Sequence, residues 1–155
     1  MKNTKLGIVV AEFNRTITMK MLKVAKGRAH ARNARIRYIC FVPGTFDMPL
    51  LIEQLIKKKD IDAIVTLGSV IKGETAHDKL VANTAERFIA ELSVKHQKPV
   101  SLGIAGPGMT VKQARDRITT VSNRAVDTAI DMVERLRRLK NLKENHEGEM
   151  ASIID

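Results

Sequence analysis

Short unbroken apolar runs alternate along this chain with stretches whose apolar side chains return every three or four positions. Residues 6–11 (LGIVVA) are continuously apolar, the mark of a strand covered on both faces. From about 17 to 33, Met21, Leu22, Ala25 and Ala29 fall at helical spacing, with lysines and arginines on the other side. Residues 36–42 read as a second strand, stopped by Pro43-Gly44. Asp47 then stands where a helix cap belongs, ahead of Pro49 and the apolar Leu50, Leu51, Leu55 and Ile56. The run 61–71 (IDAIVTLGSVI) predicts a third strand ended by Gly73. Thr75 can cap a helix reaching about residue 95. Residues 99–105 predict a fourth strand closed by Gly106-Pro107-Gly108. A long helix over about 110–139 follows, on the repeat of Ile118, Val121, Ala125, Ala129, Met132, Leu136 and Leu139.

Four strands alternating with helices imply an α/β protein: a four-stranded parallel sheet, right-handed crossovers and helices on both faces. Periodicity fails after Asn141, so residues 1–142 read as one domain and 143–155 as a mobile polar tail. Ligands of such sheets bind at the carboxyl ends of the strands. The loops to inspect are therefore 12–15, 42–47, 70–78 and 105–110. The long apolar seam of the last helix also exceeds what a small sheet covers, which predicts self-association.

Composition narrows the function classes. The 155 residues suffice for one domain with its own core. No apolar run approaches the ~20 residues of a membrane span, and the first residues lack a secretory pattern. A cytoplasmic protein is expected. The single Cys40 excludes an internal disulfide and reads as a small core residue. Net charge is +10, and no acid occurs from Phe13 to Phe46. Such a field attracts polyanions and small phosphorylated substrates alike. With no Trp, one Tyr and four Phe, stacking platforms for single strands are scarce, so nucleic acid is not an expected partner.

The four loops hold the chemistry. Glu12-Phe13-Asn14 sets an aromatic face beside an amide, and Thr45-Phe46-Asp47 follow a tight turn. Gly73-Glu74-Thr75 precede a predicted helix start, where free amides bind phosphate. His77, in the first helical turn beside that site, can accept and return protons. His30, His96 and His146 lie on polar stretches and read as structural or solvated. There is no Walker lysine, no GxGxxG and no GxSxG. Histidines and carboxylates lack metal-site spacing; His77, Asp78 and Glu74 come nearest. The residues alone point to an α/β protein that binds a planar, phosphate-bearing ligand.

Four segments in order carry a resemblance: AEFN (11–14), VPGTFDMPL (42–50), GSVIKGETAHD (68–78) and PVSLGIAGPGMT (99–110), with QARDR (113–117) behind them. Together they resemble the 6,7-dimethyl-8-ribityllumazine synthases of riboflavin biosynthesis, archaeal members most, over residues 6–139. The resemblance implies a flavodoxin-like, doubly wound three-layer sandwich and a transferase. Its substrates would be 5-amino-6-ribitylamino-uracil and 3,4-dihydroxy-2-butanone 4-phosphate, with no cofactor and no metal. It places Phe13 and Asn14 at the pyrimidine, Thr45, Phe46 and Asp47 at the ring and ribityl chain, and the backbone of Val70 and Ile71 at the ring. Gly73, Glu74 and Thr75 would cradle the phosphate, His77 would shuttle protons, and Arg117 of a neighbouring subunit would clamp the phosphate. Leu102 stands where many members carry a pocket-closing aromatic residue. The resemblance also implies a homo-oligomer, a pentamer or a hollow icosahedral shell of twelve pentamers. Two other readings share the fold: an archaeal riboflavin synthase, disfavoured by the intact phosphate-type turn, and a non-catalytic flavin or nucleotide carrier.

Overall fold

A computed structural model describes residues 3–148 and 150–155. In chain order the elements are β1 (Lys5–Ala11), α1 (Arg15–Ala31), β2 (Arg35–Val42), a single 3-10 turn (Thr45–Asp47), α2 (Met48–Leu55), β3 (Ala63–Ile71), α3 (His77–His96), β4 (Val100–Ser101), β5 (Ile104–Met109), α4 (Val111–Asp116) and α5 (Ile118–Asn141). Every strand pair is parallel, in the order β2-β1-β3-β4, with β5 also on β3. The three-layer, flavodoxin-like α/β architecture is therefore present.

The apolar run of β1 is continuous because both its faces are covered. Leu6, Ile8 and Val10 point into a core shared with α1 and α5, while Val9 and Ala11 point into one shared with α2 and α3. β3 divides its side chains the same way, with Val65 and Leu67 on one side and Ile64 and Val70 on the other. β2 differs: it is the outer strand, and its burial alternates, leaving Ile39 and Phe41 exposed. Beneath the sheet Arg28 forks onto Asp127 at 2.8 and 2.9 Å. Arg32 reaches Asp127 at 2.8 Å and Asp131 at 2.7 Å, which ties α1 to α5.

The sheet has five strands, not the four expected. The predicted fourth strand breaks at Leu102-Gly103. There the Thr66 hydroxyl enters the ladder, donating to the Ser101 carbonyl at 2.8 Å and accepting from the Gly103 amide at 3.2 Å. Gly103 lies so close that a β-carbon on it would sit 2.0 Å from the Thr66 carbonyl oxygen. β5 then runs on to Met109, through the glycines expected to form a closing turn, with Gly106 at φ 113° and Gly108 at φ 76°.

The long last helix is likewise two. Thr110 and Gln113 cap α4 reciprocally, the Thr110 hydroxyl accepting from the Gln113 amide and the Gln113 side chain from the Thr110 amide. Arg117, at φ −101° and ψ 0°, ends it and starts α5. Along the predicted seam Ala125 and Ala129 are buried against the molecule's own core, whereas Met132 and Leu139 emerge into solvent. Beyond Asn141 no helix or strand occurs among the described residues. Arg138 holds Asp155 through its carboxylate at 2.9 Å and its carbonyl at 2.7 Å.

Candidate active site

The chain leaves β1 toward one side of the sheet to form β2 and later returns on the other side to form β3. The carboxyl ends of β1 and β3 are thus neighbours at the point where strand order reverses, and loops there splay apart to leave a crevice. A cleft of about 430 Å³ opens there. Phe13, Asn14, Thr45, Phe46, Val70, Ile71, Gly73, Thr75 and His77, all expected at the site, line it.

Each is held by its own loop. The amides of Glu12 and Phe13 donate to the carbonyls of Val42 and Pro43, fastening the first loop to the second. Asn14 adopts the left-handed conformation (φ 59°), which asparagine tolerates well. Its carbonyl accepts from the amides of Ile17 and Thr18 in the first turn of α1, and its side-chain amide donates to the Ser69 carbonyl at 2.7 Å. Phe13 and Phe46 are left 73% and 58% exposed, two aromatic faces with little protein against them. Thr45 is buried, and it fits because residue 68 is glycine: a β-carbon there would lie 2.7 Å from the Thr45 hydroxyl.

α3 begins at His77, with Ala76 rather than Thr75 in the cap position. The Thr75 hydroxyl accepts from the His77 amide at 3.4 Å, a long and weak bond. The segment 72–76 is therefore an open turn with exposed backbone, a form that offers amides to an anion.

Four expected residues do not line this cleft. The Asp47 carboxylate is turned back on its own loop, accepting from the Gly44 amide at 2.9 Å in place of capping α2. Glu74 is exposed on the open turn, Leu102 is 46% exposed at the break between β4 and β5, and Arg117 is exposed at the α4–α5 junction. Conversely, Gly44 and Asp78, within the loops expected at the site but given no role there, and Ser69 and Val81, outside those loops, also line the cleft. Asp78 carried a signal, since it follows His77 in the first helical turn. Ser69 could have been found by carrying the alternation of β3 to its end.

The charge balance of the cleft is informative. Among the described residues that line it there is no lysine or arginine, and Asp78 is its one acid. No group of three histidine, cysteine or acidic side chains is placed to hold a metal ion among the described residues. A hollow of about 460 Å³ at the opposite end of the sheet holds arginines that are already engaged, Arg32 with Asp127 and Asp131, Arg138 with Asp155. No helix among the described residues is long and apolar enough to cross a membrane.

Known proteins resemble this chain over most of its length. The family described as 6,7-dimethyl-8-ribityllumazine synthase matches residues 3–140. The enzyme of that name from Saccharolobus solfataricus is 53% identical over 143 residues, covering 92% of this chain and 93% of its own. That of Metallosphaera sedula is 53% identical over 135 residues, 87% of this chain and 89% of its own. That of Methanocaldococcus jannaschii is 51% identical over 135 residues, 87% and 95% respectively.

Proposed function

The chain belongs to the 6,7-dimethyl-8-ribityllumazine synthase family, a family of transferases in riboflavin biosynthesis, and from that premise we propose that it condenses 5-amino-6-ribitylamino-uracil with 3,4-dihydroxy-2-butanone 4-phosphate. The observation that carries this reading is the cleft itself, whose wall joins the exposed rings of Phe13 and Phe46 to Gly73, Thr75 and His77 of the open turn and helix start. A flat heterocycle suits the first and a phosphate the second.

In the proposed reaction the 5-amino group condenses with the ketone to an imine with loss of one water, phosphate is eliminated, and the ribitylamino nitrogen closes the second ring with loss of a second water. Both reactants carry their own reactive groups, so the protein supplies position and proton transfer without a cofactor. Holding two molecules in register can lower the barrier by about 7–11 kcal/mol in well-oriented cases. The pyrimidine lies on Phe13, its polar edge facing Asn14 and the backbone of Val70 and Ile71. Thr45 and Phe46 hold the ring and ribityl chain. The amides of Gly73, Glu74 and Thr75 receive the phosphate, and His77 moves protons between the reacting groups.

An anionic substrate in a cleft lined by no cation needs one from elsewhere. Arg117, exposed and turned to no partner in its own cleft, is proposed to serve the cleft of a neighbouring copy, with Leu102 packing beside it. That makes the working unit an oligomer, a pentamer or a shell of twelve pentamers, built from residues 1–142 with 143–155 peripheral.

The test is to mix the purified protein with both substrates. Fluorescent lumazine appearing with stoichiometric phosphate is the expected result. Riboflavin formed from lumazine alone, or binding without turnover, would overturn it in favour of a riboflavin synthase or a carrier. Light scattering distinguishes pentamer from shell.

A further inference from the structure

The open turn at the cleft is held by both of its ends, and both ends rest on adjacent residues of one strand. At its start the Lys72 amide donates to the Met109 carbonyl at 2.8 Å. At its finish the Asp78 carboxylate accepts from the Gly108 amide at 2.9 Å, thirty positions along the chain. Asp78 is 6% exposed, and among the described residues no ion pair neutralises it. A carboxylate lining a cleft proposed to take an anion repels that ligand. Its presence calls for a gain elsewhere, and the Gly108 bond is where it is found.

Gly108 has φ 76°, a left-handed backbone that favours glycine and turns its amide toward α3. Two residues earlier Gly106 packs against β3, where an added β-carbon would meet the Val70 carbonyl oxygen at 2.2 Å. The end of β5 is thus fixed against β3, and the turn is fixed to β5. Of the two feet, Lys72 uses only backbone and would survive any side-chain change. Asp78 is the foot that sequence determines.

We propose that Asp78 is a positioning residue, whose bond to Gly108 sets the spacing of the 73–77 turn and so the placement of its amides and of His77 toward the phosphorylated substrate. This rests on the lumazine synthase reading. The role belongs to the accepted hydrogen bond, not to the negative charge, so an asparagine oxygen should replace it.

The experiment compares Asp78→Ala and Asp78→Asn by steady-state kinetics, with amide exchange at Gly108 followed by NMR. In the alanine variant KM for the phosphorylated butanone should rise about tenfold, equivalent to one lost bond of ordinary strength. KM for the pyrimidine should stay put, and Gly108 should exchange faster. The asparagine variant should restore both readouts to near the parent values. Equal rises in both KM values, or an asparagine variant as impaired as alanine, overturn the proposal. If alanine does not fold, asparagine alone decides: unchanged exchange and KM support the proposal, and a tenfold rise sinks it. Titration of the same variants with inorganic phosphate keeps the two questions apart. A parent protein that makes no lumazine defeats the functional reading, whereas equal phosphate affinity in parent and Asp78→Ala defeats the positioning role.

Discussion

The side-chain amide of Asn14 donates to the carbonyl of Ser69 across 2.7 Å, joining the end of β1 to the end of β3 where the cleft opens. A residue just past one strand thereby fixes the width of the gap between two loops. Asn14→Ala should lose that bond and also hold alanine in a left-handed conformation. The combined cost should be about 1–3 kcal/mol. Asn14→Gly relieves the conformational part alone, so thermal melting should rank asparagine above glycine above alanine. The pyrimidine KM should rise in both variants.

His77→Ala should slow turnover by about 10²–10⁴-fold, the usual contribution of a positioned acid–base group, and leave the protein folded. Arg117→Ala should act mainly on use of the phosphorylated substrate. Steady-state kinetics showing an inert His77 variant and an Arg117 variant indistinguishable from the parent would reverse this allocation.

Two glycines, Gly103 pressed against β3 and Gly68 within it, should respond differently to one added methyl group. At Gly103 the obstacle is backbone, the Thr66 carbonyl oxygen, which cannot step aside. Gly103→Ala should therefore cost more than about 4 kcal/mol or prevent folding. At Gly68 the obstacle is the Thr45 hydroxyl. Gly68→Ala should cost about 1–3 kcal/mol, as overpacking usually does, while displacing Thr45 and impairing binding of the pyrimidine. Denaturation curves with kinetics on the same samples separate the two outcomes.

Acid should weaken the α2–α3 contact in a defined window. Glu53 lies 2.6 Å from His96, 3.0 Å from Lys57 and 3.3 Å from Lys95. The His96 hydrogen bond first, then those of the lysines, pull its carboxyl from the ordinary 4.5 to about 2. A carboxyl with a lowered value in the fold stabilises fully above its ordinary value, and that contribution is lost as pH falls toward the lowered one. Melting temperature should thus drop between pH 4.5 and 2. In Glu53→Gln this part of the drop should be absent.

Much of this was legible in the chain, and the exceptions share a cause. Apolar runs announced β1 and β3 because both faces of each are covered, and of the four loops named at the carboxyl ends of the strands, 12–15, 42–47 and 70–78 contribute to the cleft while 105–110 does not. Nothing announced the break at Leu102-Gly103 or at Arg117. The first depends on the Thr66 hydroxyl from another strand, and the second occurs with neither glycine nor proline at the junction. Loop residues expected at the site do line the cleft where the backbone or an exposed ring forms the wall, as at Gly73 and Phe13. Asp47, expected beside them, turns instead to a nearer partner, the Gly44 amide. Spacing reveals which residues stand at a rim but not which way each one turns.

The anchoring of β5 on β3 has a consequence for how such a protein can change. Gly103 and Gly106 press main chain against main chain, so the seam between β5 and β3 owes its shape to backbone that substitutions elsewhere barely reach. Side chains on the surrounding loops are then free to drift, altering which molecules are welcomed while the platform beneath them stays level.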